Sequence, residues 1–221
     1  QTVLLPGVKV MLTKETTKEP KKQTWNYPDG MKGYLTELIG KGGMVAPVYD
    51  GERFVKESEA NGFAAGEGAA WAFAFVDDDK GYGESYANLI PTPDGGTHEA
   101  GLREGIFEAV KAFADYHTMM PKGIKLLPED AWSRVVYFLS AKVLEPQFHG
   151  QTKEKLSNRD AVKLVSTMVR DPFAAWMTAN EEHGKKICDL VIQQAIERSR
   201  TVQKVERKRS SSVVLLPEKL T

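Results

Sequence analysis

Residues 69 to 77 alternate bulky aromatics with alanine, setting Trp71, Phe73 and Phe75 against Ala70, Ala72 and Ala74. Successive side chains on a strand point to opposite faces, so this run predicts a strand with one heavily packed face. Three large rings on one face need a covering layer, and two other segments offer it. Between Thr97 and about His117, Leu102, Ile106, Ala109, Val110 and Phe113 keep a helical period, and Thr97 and Glu99 suit the helix start. Residues 159 to 179 carry Val162, Val165, Val169, Phe173 and Trp176 on one face, with Pro172 expected to kink or restart the helix at Asp171.

The remaining segments fill in a sheet. Residues 3 to 13 and 23 to 27 read as a hairpin joined by the lysine-rich connection 14 to 22. Asp29 caps a short helix through Ile39 that carries Met31, Leu35 and Leu38 and is stopped by Gly40, Gly42 and Gly43. Strands are expected at about 44 to 49, about 52 to 57 and 84 to 90. After a helical turn at 128 to 133, the strand from about Arg134 to Val143 is rich in β-branched and aromatic residues and suits a central position. A last helix, 182 to about 209, is apolar early and basic late. Strands, helix, strands, helix, strand and helices in that order indicate an α+β domain with helices covering one sheet face.

Thirty Lys plus Arg balance thirty Asp plus Glu among 221 residues, so bulk charge points to neither a nucleic-acid nor a membrane partner. A single cysteine, Cys188, excludes an internal disulfide; it lies on an apolar helical stretch and reads as a buried thiol. No apolar run reaches the ~18 residues of a membrane span, and a reducing cytosol fits best. His98, His117, His149 and His183 share no metal-ligand spacing, so no metal is assigned. The chain starts in mid-pattern and ends, after Ser210-Ser211-Ser212, on a linker-like stretch, so we read it as a piece of a longer protein.

Chemistry concentrates between Val143 and Arg159. There Gly150 permits a tight backbone, while Gln151, Thr152 and Lys153 offer amide, hydroxyl and ammonium donors suited to an anion. From the residues alone, a solvated polar loop is the blander alternative.

The stretch Pro146-Gln147-Phe148-x-Gly150-Gln151-Thr152-Lys153-x-Lys155-Leu156 resembles the QTK loop of bacterial type II DNA topoisomerase B subunits. Asn88-Leu89-Ile90-Pro91-Thr92-Pro93-Asp94-Gly95-Gly96-Thr97-His98, followed by Gly101-Leu102-Arg103, resembles a second signature of that family, in the family's order and spacing. Leu216-Pro217-Glu218-Lys219-Leu220 is similar to its link into the metal-binding cleavage (TOPRIM) domain. Tyr86, Pro121-x-Gly123-x-Lys125 and Glu129-Asp130-x-Trp132 look more like topoisomerase IV than gyrase.

The resemblance implies a transducer of ribosomal protein S5 domain 2-like fold with a left-handed βαβ crossover, against the right-handed rule for such connections. It divides the chain into the last hairpin of a GHKL ATPase domain (1 to 28), a transducer (29 to 209) and a linker (210 to 221). It implies that Gln151 and Lys153 contact the terminal phosphate of ATP, with Mg²⁺ and the catalytic residues outside this segment. It implies further that Arg103 faces transported DNA. The implied partners are the topoisomerase A subunit, a second B subunit and double-stranded DNA, in the bacterial cytoplasm. Two rivals stand beside this reading. One is a DNA-binding scaffold using Arg103 and the basic run Arg198, Arg200, Lys204, Arg207, Lys208 and Arg209; the other is the transducer of a related chaperone or mismatch-repair ATPase.

Overall fold

The computed structural model of the protein describes residues 2–15, 21–40, 43–57, 62–77 and 81–211. The expected linker residues 212 to 221, part of the lysine-rich connection, and Gly42 lie outside them.

Strands β1 (Lys9–Lys14) and β2 (Lys21–Asn26) form the expected antiparallel hairpin, pairing Lys9 with Asn26 and Lys14 with Lys21. The first strand begins later than its hydrophobic pattern suggests. Thr2–Leu4 is a 3-10 turn, and Pro6 with Gly7, at φ +89°, separates it from the strand. Helix α1 (Gly30–Ile39) follows and ends at Gly40.

Five strands build the main sheet. They are β3 (Tyr49–Phe54), β4 (Gly68–Phe75), β5 (Gly83–Ala87), β6 (Ile90–Pro91) and β7 (Val135–Lys142), in the order β3-β4-β7-β5-β6. β7 is therefore central, as its composition suggests. It pairs antiparallel with β4 and parallel with β5, and the parallel pair is joined through α2 (Thr97–Tyr116) and α3 (Pro128–Trp132). The strands expected at 44 to 49 and 52 to 57 are instead the single strand β3, with Met44 only an isolated bridge to Val76.

Both faces of β4 are buried. Trp71, Phe73 and Phe75 pack with β7 against α2, α4 (Asp160–Ala179) and α5 (Glu181–Ser211). Fully burying a side chain of this size is worth about 1.5–3 kcal/mol, which makes the row a principal fixture of the core. Ala72 and Ala74 face the other way and meet α1 through Leu35. Helices thus cover both faces and not the single face expected: α1 lies opposite the rest, and the small alanine side chains let it pack close to the sheet.

The stripe predicted for α2 is entirely buried. α2 lies close on α4 where Gly101 and Gly105 oppose the Val162 and Ser166 carbonyls. α4 runs through Pro172 without restarting, its second half held by buried Phe173 and Met177. Phe173 stacks edge-on against Phe73 at 4.9 Å between ring centres. α5 extends through Ser211, two residues past its expected end, so Ser210 and Ser211 are helical.

Candidate phosphate-sensing loop

β7 ends beside Asn88, and this residue fixes where the loop leaves the sheet. Asn88 and Leu89 both have positive φ, the geometry of a two-residue turn between β5 and β6. The Asn88 amide then pairs with backbone: its Nδ2 donates to the Val143 carbonyl (2.8 Å) and its Oδ1 accepts from the Val143 nitrogen (2.9 Å). Asn158 performs the same task at the far end. Its Oδ1 accepts from the Gln147 nitrogen at 2.6 Å and its Nδ2 donates to the Glu145 carbonyl at 2.9 Å.

Between these staples, β8 (Phe148–His149) and β9 (Lys155–Leu156) pair antiparallel and leave residues 150 to 154 as a tip. Gly150 at φ +79° and Lys153 at φ +59° turn the chain. A lysine in the left-handed region costs about 1 kcal/mol or more, a strain that concentrates at functional sites. Gln151, Thr152 and Lys153 are all exposed. Among the described residues no side-chain hydrogen bond engages Gln151 or Lys153, and the Lys153 ammonium lies 6.0 Å from the centre of the Phe148 ring. The tip therefore presents an amide and a cation without hydrogen-bond partners among the described residues, the cation over the Phe148 ring.

The two motifs found separately in the sequence meet here. The Leu156 nitrogen donates to the Gly95 carbonyl (3.2 Å) and the Asp94 nitrogen to the Glu154 carbonyl (3.1 Å), while Gly96 bridges Leu156. An added Cβ at Gly96 would stand 2.6 Å from the Leu156 nitrogen, so only glycine permits this approach. Behind the turn, His98 is fully buried, its Nε2 3.1 Å from the Thr92 hydroxyl, which donates to the Ser85 carbonyl at 2.8 Å. Burial lowers the His98 pKa to about 4, so the ring is a neutral support for the start of α2.

A cavity of about 570 Å³ opens beside the loop base, lined by Thr97, Arg103, Trp132, His149 and Lys155 among others. Arg103 lies here, its guanidinium paired with Glu129 of α3 and its Nε buried without a partner. On the other side of the turn, Glu84 accepts from the Tyr82 hydroxyl (2.5 Å) and the Tyr86 hydroxyl (2.6 Å) in a second cavity. Asp94 and Glu99 line both cavities, but the basic residues Arg103 and Lys155 line only the first.

Two other expectations meet the structure here. Arg198 is not available as part of a free basic run: its Nε donates to buried Asp130 at 2.7 Å. Arg200 is exposed, while the side chains of Lys204, Arg207, Lys208 and Arg209 lie outside the described residues. Cys188 is buried, its thiol pushed up to about 12 by desolvation. Asn88, Asn158 and Asp130 were missed as structural determinants; the one available signal was asparagine's tolerance of left-handed turns, which applies to Asn88.

A family model described as DNA gyrase B matches residues 30–207. The B subunit of DNA topoisomerase 4 from Pseudomonas aeruginosa is 38% identical over 219 residues, covering 99% of this chain and 33% of the relative. Its counterpart from Escherichia coli is 38% identical over 221 residues, with the same coverage. The chain thus spans about a third of the length of these relatives. Among solved structures, the topoisomerase IV ATP-binding domain of Francisella tularensis superposes with a TM-score of 0.72 at 32% identity, covering 89% of this chain and 50% of that one. The Thermus thermophilus gyrase B ATPase domain shares the fold, with a TM-score of 0.75 at 20% identity over 93% of this chain and 53% of that one. The chain belongs to the DNA gyrase B family, the family of type II DNA topoisomerase B subunits.

Proposed function

We propose that this chain is the transducer of a topoisomerase IV B subunit, and that Gln151 and Lys153 sense the terminal phosphate of ATP held by an adjoining ATPase domain. The observation that carries the reading is the tip itself: an amide and an ammonium with no hydrogen-bond partner among the described residues, on a strained turn anchored to the start of α2. Such donors gain partners when a phosphate arrives and lose them when it leaves. A charge-assisted hydrogen bond of about 1.5–3 kcal/mol gives a ten- to hundred-fold bias between two conformations, enough to tip a domain rotation.

In this reading residues 1 to 28 complete the ATPase domain, 29 to 209 form the transducer and 210 to 221 lead towards the cleavage domain. The parallel β5–β7 pair is the left-handed crossover of an S5-like fold. The ATPase domain holds ATP and its Mg²⁺, and the segment's work is to couple nucleotide state to passage of one DNA duplex through another. The working partners are the A subunit, a second B subunit and double-stranded DNA, in the bacterial cytoplasm. Arg103, beside the loop, faces the transported duplex, held by Glu129 in the meantime. The scaffold rival loses support from Arg198, whose charge is spent on Asp130.

The test is ATP hydrolysis and DNA decatenation by the full-length B subunit with its A subunit, comparing wild type with Lys153→Ala. The expected result is loss of both activities, at least about tenfold by the worth of one charged hydrogen bond, with the melting temperature unchanged. Unchanged activities would remove the sensing role and leave DNA binding in front.

A further inference from the structure

Helix α3 is only five residues long, yet two adjacent carboxylates on it grip two different helices. Glu129 pairs with Arg103 of α2. Asp130, its side chain 3% exposed, accepts from Arg198 of α5 at Nε (2.7 Å) and Nη2 (3.0 Å), and Nη2 also donates to the Lys125 carbonyl at 2.8 Å. The second Asp130 oxygen accepts from the Leu127 nitrogen at 2.7 Å, closing the start of α3. The carboxylate is thus fully engaged, and neighbouring positions on a helix diverge by about 100°, which lets one short turn hold two partners.

The pair stands at a mechanical junction. Upstream, α2 begins on the loop through Gly95 and Gly96, and Arg103 lies two turns along it. Downstream, Arg198 makes the last polar contact between α5 and the rest of the chain among the described residues, and the helix continues to Ser211. The cavity of about 570 Å³ is lined by the loop base, by α2 and by Trp132 of α3, and α2 packs on α3. α2 also packs on the first half of α5, and the buried ion pair ties α3 to α5 at Arg198, where the far half of the helix begins. A planar guanidinium bridging a carboxylate and a carbonyl transmits angle as well as distance, which an apolar contact does not.

We propose that Asp130 and Arg198 are positioning residues that couple the nucleotide state read by the loop to the direction of α5. The proposal rests on the sensing role given above to Gln151 and Lys153. It assigns the pair no contact with nucleotide or DNA: the residues set how much strand passage each hydrolysed ATP yields.

The experiment uses the full-length B subunit with its A subunit and measures ATP hydrolysed and DNA decatenated in the same reaction. Arg198→Met keeps the stem and removes the charge. It is expected to retain ATP hydrolysis while decatenation per ATP falls about tenfold or more, the weight of one charge-assisted hydrogen bond. Asp130→Asn, which keeps an acceptor for Leu127, should give a smaller fall, and Arg198→Lys a partial recovery. Combining Asp130→Asn with Arg198→Met should be no worse than Arg198→Met alone, because both remove one interaction. A constant yield of decatenation per ATP in Arg198→Met and Asp130→Asn, whether or not their melting temperatures drop, overturns the proposal. If Arg198→Met does not fold, Asp130→Asn and Arg198→Lys decide by the same ratio. Lys153→Ala measured alongside separates the two ideas: lost hydrolysis there with an unchanged ratio in the α3 variants refutes only the coupling, whereas unaffected hydrolysis refutes the sensing role.

Discussion

Gly96 sits at φ +144° against the backbone of Leu156, where any Cβ would collide. Replacing it with alanine should cost about 1–3 kcal/mol and lift the loop hairpin from the start of α2. Urea unfolding checks the first effect, and a stability equal to wild type would show that the contact is soft. His98 gives a pH signature at the same junction. Its pKa falls from 6.5 to about 4 on folding, so between those values the unfolded chain takes up a proton that the folded chain refuses. Protonation therefore favours unfolding. Stability is unaffected above pH 6.5, falls as the pH drops towards 4, and loses about 3 kcal/mol in all. Carboxylates titrate in part of that window, so the measurement is the difference between wild type and His98→Gln, whose slope from pH 6.5 to 4 should be shallower. Equal slopes would contradict a neutral, buried ring. At this scale the sequence already singled out Gln151 and Lys153 as candidates, through the resemblance. It did not show Asn88 or Asn158 as backbone staples, because their partners at Val143, Gln147 and Glu145 depend on where the chain folds back.

Helix packing supplies the clearest element-level test. A methyl group on Gly101 would meet the Val162 carbonyl oxygen at 2.5 Å, and one on Gly105 the Ser166 carbonyl oxygen at 2.8 Å. Gly101→Ala must push α2 from α4, and a loss of about 1–3 kcal/mol in thermal unfolding is expected from overpacking, outweighing alanine's better helix propensity. A gain in stability would mean the two helices slide apart freely. The elements most readable in advance were those with a long, unbroken period: β4, α2, β7 and α4 all lie where their patterns put them. β3 was not, since an Asp-Gly pair in the middle of a strand ordinarily marks a turn. Gly51 has another reason to be there: the Trp71 ring lies over it, and a Cβ would stand 2.9 Å from Cζ2. The alanine face of β4 likewise gave no sign that α1 would cover it, because small residues accept either a helix or water.

Over the whole molecule, two motifs more than fifty residues apart converge on the start of one helix, and two carboxylates of a five-residue helix tie that helix to the one that continues outward. Such convergence is a long-range consequence of the β4-β7-β5 order and is invisible to local pattern. The resemblance to type II topoisomerase B subunits suggests the role proposed for the loop; the fold supplies its anchorage. The most direct measurement of the central claim is the affinity of the full-length B subunit for a non-hydrolysable ATP analogue and for ADP, in wild type and Lys153→Ala. The account predicts that the variant loses about tenfold or more in affinity for the ATP analogue and none for ADP, because in the proposed role Lys153 meets only the terminal phosphate. An equal loss for both nucleotides, or for neither, would contradict it.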